Sequence, residues 1–294
     1  MTRRQAELLL AAVVIARSTS FLFSKLCMAE MEPFTLMGIR FLLSFGILAL
    51  LFRKRLSRLT PAAVWGGVVM GVVLFGMMSA EMNGLKTTES STAAFLENTA
   101  IVLVPLFEAA LHCRLPQFWT VASVTVTMSG IGLLTLRGGT LALGEGELLC
   151  LVGAVLYAAM IIIIDRFSRK SDPLTLGILQ IGVVGLLGLL AAFAVEQPRL
   201  PASTLEWGSI MMLVLVSSVF GFTYQPVAQR YTTSERAGVL SALNPLCAGI
   251  LGWLVLEEQF GWQGLVGAVL VLLGITIPPL VRILQPVKVP QARA

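Results

Sequence analysis

The stretch STAAFLENTAIVLVPLFEAAL, residues 91–111, is almost entirely apolar, yet it carries Glu97, Asn98, Glu108 and a helix-breaking Pro105. About twenty apolar residues cross the hydrocarbon core of a bilayer as a helix, so its length fits a membrane span. Working outward, nine more runs of this kind follow one another along the chain, giving ten at about 6–28, 34–52, 62–85, 91–112, 117–136, 146–165, 174–195, 206–228, 236–256 and 262–284. Short connections between them hold most of the proline and charge. The 294 residues are 56% hydrophobic and only 13% charged, with a mean hydropathy of +0.87, where a soluble domain averages about 25% charged. The expected fold is an all-α polytopic membrane protein with ten transmembrane helices.

Arg3 and Arg4 precede the apolar run from Leu8 as in a signal peptide. The run continues without a good cleavage site and has a counterpart later in the chain, so it reads as a first span. Cys27, Cys113, Cys150 and Cys247 stand singly among apolar neighbours. They show no metal spacing and no evident disulfide, and read as small core residues. With both termini placed in the cytoplasm, fifteen of the 21 Lys and Arg fall on the inner side: Arg3, Arg4, Arg53, Lys54, Arg55, Arg58, Arg114, Arg166, Arg169, Lys170, Arg230, Arg236, Arg282, Lys288 and Arg293. Only Lys86, Arg137 and Arg199 fall outside, and Arg17, Lys25 and Arg40 lie within spans. The positive-inside rule therefore orients both ends to the cytoplasm, in the cell membrane. It also accounts for the net charge of +5 without a nucleic-acid partner.

The chain repeats itself. AELLLAAVV (6–14) matches GELLCLVGA (146–154) and EPFTL (32–36) matches DPLTL (172–176), both at an offset of 140. TTESSTAAFL (87–96) matches TTSERAGVL (232–240), and PQFWTVASVTVTMSGIGLL (116–134) matches EQFGWQGLVGAVLVLLGIT (258–276). The expected halves are residues 1–139 and 140–294, the second ending in a short basic tail. Each half holds five spans, and five is odd, so the second copy enters the membrane upside down.

GLKTTESSTAAFLENTAIVLVPLFEAAL (84–111), WTVASVTVTMSGIGLLTL (119–136) and the segment from QPVAQRYTTSERAGVL to GAVLVLLGI (225–275) resemble the EamA-type branch of the drug/metabolite transporter superfamily. The resemblance covers nearly the whole chain. It implies two inverted five-helix repeats and transport of a solute across a membrane, without naming the solute. Three places depart from the family pattern. Ala16-Arg17 replaces the usual Trp-Gly, Glu97 and Glu108 stand where apolar or small polar residues are usual, and HCRLPQF (112–118) lacks the acidic residue found in LEEQF (256–260).

An ionisable side chain at membrane depth is costly unless paired or hydrated, so each is a functional candidate. Arg17, Lys25, Arg40, Glu81, Glu97 and Glu108 qualify, and their charges cancel. At ~1.5 Å per residue, Arg17 lies near mid-membrane, Arg40 and Glu97 share a depth in the outer half, Glu81 and Lys25 lie near the outer surface, and Glu108 lies in the inner half. Glu97 and Glu108 are eleven residues apart, about three turns, and are expected on one face with His112 beyond them. Two readings stay open for Glu97: an ion pair with Arg40 and Arg17 that holds helices together, or a substrate or proton site. Glu81 and Lys25 can instead snorkel to the outer interface, and Glu108 is a second proton candidate.

At offset 140, Arg17 maps onto Tyr157, Arg40 onto Gln180 and Lys25 onto Asp165. Tyr224, Gln225 and Asn244 add further hydrogen-bonding groups. The expected substrate contacts are Glu97, Arg40, Arg17, Asn98, Tyr157, Gln180, Tyr224, Asn244 and Glu81. Charge facing aromatic and amide groups suits a small amphipathic or zwitterionic solute, and aromatic rings can also cradle a quaternary ammonium. Pro105 and Pro245, in corresponding helices, are hinge candidates. Glycines in 66–71, 249–253 and 264–274 are expected at close helix contacts.

The leading expectation is a secondary transporter of a small organic solute (an amino acid, an amine or another amphipathic metabolite or drug) working by alternating access, with protons as a candidate second cargo. No ATP-binding Gly-Lys-Thr loop is present. The alternative is an intramembrane enzyme acting on a lipid-borne substrate, but the sequence holds no His/Asp/Glu cluster at ligand spacing. No filter-like repeated loop points to a channel. No cofactor or metal is expected, and a monomer and a homodimer both remain open.

Overall fold

Chains inside a bilayer must satisfy every backbone N–H and C=O internally, which favours helices throughout. The computed structural model describes residues 3–111, 113, 115, 118–134, 136–137, 140–141, 143–231, 240–259 and 261–284. His112, Arg114, Lys288, Arg293 and the segment 232–239, which contains Arg236, lie outside the described residues.

The elements run as α1 (Arg3–Cys27), α2 (Pro33–Leu51), a one-turn α3 (Arg53–Leu56), α4 (Pro61–Leu85), α5 (Ser90–Asn98), α6 (Ala100–Leu111) and α7 (Phe118–Leu134). After a two-residue antiparallel pairing of Leu136–Arg137 with Thr140–Leu141 come α8 (Glu145–Ser168) and α9 (Pro173–Val195). Next is one long helical stretch made of α10 (Thr204–Met212), a π-helical segment (Leu213–Phe222) and α11 (Thr223–Arg230), followed by α12 (Leu243–Val255) and α13 (Trp262–Leu284). Among the described residues, seven helices are long and apolar enough to cross a membrane, α5 and α6 counting together as one. Three shorter apolar helices, Phe118–Leu134, Leu243–Val255 and Trp262–Ile277, stand at the other three expected spans. The protein is thus a multi-pass membrane protein.

Local sequence sets the helix starts. Pro33, Pro61 and Pro173 occupy first-turn positions, where a missing N–H costs no hydrogen bond. Thr60 accepts from the Ala63 amide, Asp172 from the Thr175 amide, and Ser203 forms a capping box with Glu206.

Two helix starts are instead capped from far away. Glu196, just beyond α9, accepts from the amides of Phe34 and Thr35 and the Thr35 hydroxyl at 2.8–2.9 Å. Glu258, beyond α12, accepts from the Ser90 and Ser91 amides at 2.6 and 3.1 Å and from the Ser91 hydroxyl. Both staples lie at one end of the molecule. Lys86 pairs there with Glu32, Arg199 pairs with Glu30 and Glu206, and Lys25 donates to the carbonyls of Leu85 and Thr88. Lys25 therefore caps the C-terminus of α4, using a cation where the helix dipole is negative.

Close packing uses glycines of the expected stretches 66–71 and 264–274 together with others, while Gly252 of 249–253 makes room for Glu258. A Cβ on Gly130 of α7 would lie 2.7 Å from the Gly267 carbonyl of α13, and one on Gly67 or Gly71 of α4 would strike Leu179 or Val183 of α9. Gly38 of α2 and Gly188 of α9 bring those two backbones together in the same way.

The opening stretch breaks elsewhere than at the proline singled out in the sequence. The break falls at Thr99, between α5 and α6, while Pro105 sits inside α6. There the Thr99 amide bonds to the Leu96 carbonyl and the Val102 amide to the Thr99 carbonyl, three-residue steps that tighten the turn. Glu97 is buried and Glu108 is exposed, so they do not share an environment. Pro245 falls in the first turn of α12, where its missing N–H costs nothing.

Candidate functional site

Arg17 lies mid-way along α1 and is 7% exposed. Its Nη1 donates to the Tyr157 hydroxyl on α8 at 2.7 Å and to Gln225 Oε1 on α11 at 2.8 Å. Gln225 Nε2 donates in turn to the Tyr157 hydroxyl at 3.3 Å. Arg17 Nη2 sits 3.7 Å from Glu97 Oε1 on α5. The guanidinium also lies over two rings, 5.0 Å from the centroid of Tyr157 and 4.4 Å from that of Phe222. Gly221 makes room for this, because a Cβ there would lie 2.8 Å from Arg17 Cγ.

Arg40 of α2 has no exposed surface. Its Nε donates to Ser218, Nη1 to Ser20 and Nη2 to Ser217, at 2.8, 3.0 and 2.8 Å. It shares the Phe222 ring with Arg17, 5.8 Å from the centroid. Hydroxyl dipoles thus surround this cation, and among the described residues the ion pair to Glu97 is made by Arg17. The π-helical segment supplies Ser217, Ser218 and Phe222 together. A π-helix inserts residues into the helical register, and such insertions occur often at functional sites.

Other expected contacts divide between this cluster and its surroundings. Glu81 of α4 is buried, with Arg17, Arg40 and Glu97 among its charged neighbours. Gln180 is buried on α9 and donates from Nε2 to the Phe222 carbonyl at 3.2 Å. Asn98 turns back on its own helix, donating to the Ala94 carbonyl. Tyr224 packs against Phe220, with ring centroids 5.8 Å apart. Asn244 is buried near the start of α12. Arg17 Nε, Glu97 Oε2, Gln180 Oε1 and Asn244 Oδ1 have no hydrogen-bond partner in the protein. Buried polar groups are rarely left so, and here donors and acceptors are both spare. Among the described residues, no three His, Cys, Asp or Glu gather as a metal site would require. An apolar groove of about 480 Å³ opens between α6 and α8, lined by Phe107, Leu111, Ala159, Ile163 and Arg166; no member of the arginine cluster lines it.

Sequence reasoning missed Ser20, Ser217, Ser218 and Phe222. The pair Ser217-Ser218 inside the apolar run LVLVSSVFGF was the available signal, since adjacent hydroxyls in a span need partners.

Membrane-length helices from both ends of the chain converge on a buried cluster of two arginines, two carboxyls and a Tyr–Gln pair. Together they define a polytopic membrane protein with a charged cluster buried among its helices. The EamA-like transporter family matches this chain twice, over residues 4–136 and 144–277. The chain belongs to the EamA-like transporter family, within the drug/metabolite transporter superfamily. Similar proteins include an uncharacterized transporter of Archaeoglobus fulgidus, 27% identical over 94% of this chain and 86% of its own. Another is the S-adenosylmethionine/S-adenosylhomocysteine transporter of Chlamydia muridarum, 26% identical over 83% and 81%. A solved crystal structure shares the fold with a TM-score of 0.72 at 19% identity, covering 97% of this chain and 100% of that one.

Proposed function

We propose that the protein is a secondary transporter that moves a small organic solute across the cytoplasmic membrane by alternating access around the Arg17 cluster. The observation that carries this is the Arg17 side chain, which bridges Glu97 of the first half to Tyr157 and Gln225 of the second at membrane depth. Arg17, Glu97 and Gln180, with the spare acceptor of Asn244, are the proposed contacts for the solute. Arg40 and Glu81 set the charge around them.

The two halves, 1–139 and 140–294, are proposed to be inverted five-helix repeats with ten spans and both termini in the cytoplasm. Three observations support this. The family matches begin 140 residues apart. Arg17 and Tyr157, paired by the repeat offset, are hydrogen-bonded to each other. The main contacts between halves also come in exchangeable sets. The equivalent helices α2 and α9 pack together, as do α7 and α13. The packing of α1 on the π-helical segment has its counterpart in α4 on α8, and that of α1 on α12 in α5 on α8.

The end bearing Glu196 and Glu258 carries few cations and corresponds to the outside. Both carboxylates hold helices of the other half, so this conformation is tied at the outer end, and outward opening requires those bonds to part. Pro105 and Pro245 remain the proposed flexing points, joined by the break at Thr99.

Counterflow into liposomes reconstituted with the purified protein tests the function. The panel should hold amino acids, amines and S-adenosylmethionine, the last because of the Chlamydia relative's cargo. Saturable counterflow that falls sharply in Arg17→Lys and Glu97→Gln is expected. Product formed from a lipid-borne substrate would favour an enzyme instead, and an unsaturable ion current would favour a channel.

A further inference from the structure

Glu97 presents two oxygens to a buried interior, and only one faces a cation. Oε1 is 3.7 Å from Arg17 Nη2, while Oε2 has no donor. The neighbouring polar group is another carboxyl, that of Glu81 on α4, within hydrogen-bond reach of Glu97. Both residues are buried, 4% and 2% exposed. Two ionised carboxylates in contact repel, and carboxyls that share a site hold a proton between them. With a proton present, one carboxyl donates to the other and the spare oxygen gains its partner.

The cations attract both carboxyls, Arg17 facing Glu97 and both arginines lying near Glu81, yet neither donates to the spare Glu97 oxygen. Arg17 Nη1 is committed to Tyr157 and Gln225, and three nitrogens of Arg40 are committed to Ser218, Ser20 and Ser217. Guanidinium groups stay charged in proteins. The other titratable groups about the pair are Cys150 and Tyr157 on α8, with Lys25 and Glu147 beyond Cys150.

We infer that Glu81 and Glu97 form one binding site for a single proton, taken from water and held between the two carboxyls. This rests on the transport reading only in its consequence. Without the proton the two arginines and two carboxylates sum to zero, and with it the cluster carries one positive charge. Proton binding therefore switches the charge of the proposed solute site. Glu81, expected from the sequence near the outer surface, becomes the partner of Glu97.

Infrared spectroscopy of the purified wild-type protein at neutral pH tests this and needs no solute. One protonated-carboxyl C=O stretch, shifted in D₂O and absent from both Glu81→Gln and Glu97→Gln, is the expected result. A wild-type spectrum without such a band overturns the inference, and this holds even where a variant fails to fold. A band that survives in either variant also overturns it, because the proton then belongs to one carboxyl or to neither. A missing band beside saturable counterflow would refute the proton site and leave the transport reading standing. The band without counterflow would do the reverse.

Discussion

Replacing Glu258 with Ala should loosen the start of the helix that carries Glu97. Three bonds converge on the Glu258 carboxylate from Ser90 and Ser91, and Glu89, the residue at the cap position of α5, makes no side-chain cap bond of its own. A lost N-cap costs about 1–2 kcal/mol, and a partly buried charge at a helix end contributes up to about 2 kcal/mol. The same oxygens supply both effects, so the combined loss is about 2–4 kcal/mol, near the value of one or two charge-assisted hydrogen bonds. At roughly 2 °C per kcal/mol for a chain of this size, that lowers Tm by about 4–8 °C. The buried thiols of Cys27 and Cys150 report the transition through a dye that reacts with thiols as the fold opens. A Cys113→Ala background removes the exposed thiol. Glu258→Gln keeps the shape and one acceptor but loses the charge, and should fall between wild type and Ala. A drop below about 1 °C for Glu258→Ala would refute the capping argument, and equal losses in Gln and Ala would show that charge is irrelevant there.

Three further outcomes follow from the geometry. Arg17→Lys keeps the charge but cannot bond Tyr157 and Gln225 while facing Glu97. Counterflow of any solute found should fall at least about tenfold, equivalent to about 1.4 kcal/mol, while Tyr231→Phe, at the far end of α11, should leave it unchanged. Gly130→Ala places a methyl 2.7 Å from the Gly267 carbonyl and should destabilise by about 1–3 kcal/mol. Gly208→Ala meets nothing within 4 Å and should be neutral or stabilising by up to about 1 kcal/mol, both read as Tm. Asp172 is pushed up by partial burial, yet hydrogen bonds from Thr175 and Arg55 hold its carboxyl below the usual range. Its contribution is therefore complete above a pH of about 4, the unfolded value, and is lost as pH falls through the lower folded value. The stability difference between wild type and Asp172→Ala should be about 1 kcal/mol at neutral pH and shrink in acid.

Much of the fold was legible because oil leaves the backbone few choices. Apolar runs of span length become helices, and Pro33, Pro61 and Pro173 mark where three of them begin. Arg17, Glu97 and Tyr157 could be singled out by the same logic. Two are charges in apolar runs, and the third stands 140 residues from the first, at a spacing visible as letters.

What the linear pattern could not carry was rotation and distance. Counting turns put Glu97 and Glu108 on one face, and the structure buries Glu97 while leaving Glu108 exposed. Depth counting matched Arg40 to Glu97, whereas the contact to Glu97 comes from Arg17. Ser217 and Ser218 reach Arg40 from a π-helical segment that turns two adjacent hydroxyls towards α2, and Ser20 reaches it from α1. Glu196 and Glu258 cap helices more than 160 residues away. The sequence by itself determined the helices, their apolar character and which residues were too costly to bury without a purpose, since those follow from local transfer free energy and backbone satisfaction. Which charge meets which partner was decided only by the tertiary structure, because helix packing sets rotation and separation to within a few ångströms, and hydrogen bonds and ion pairs depend on both.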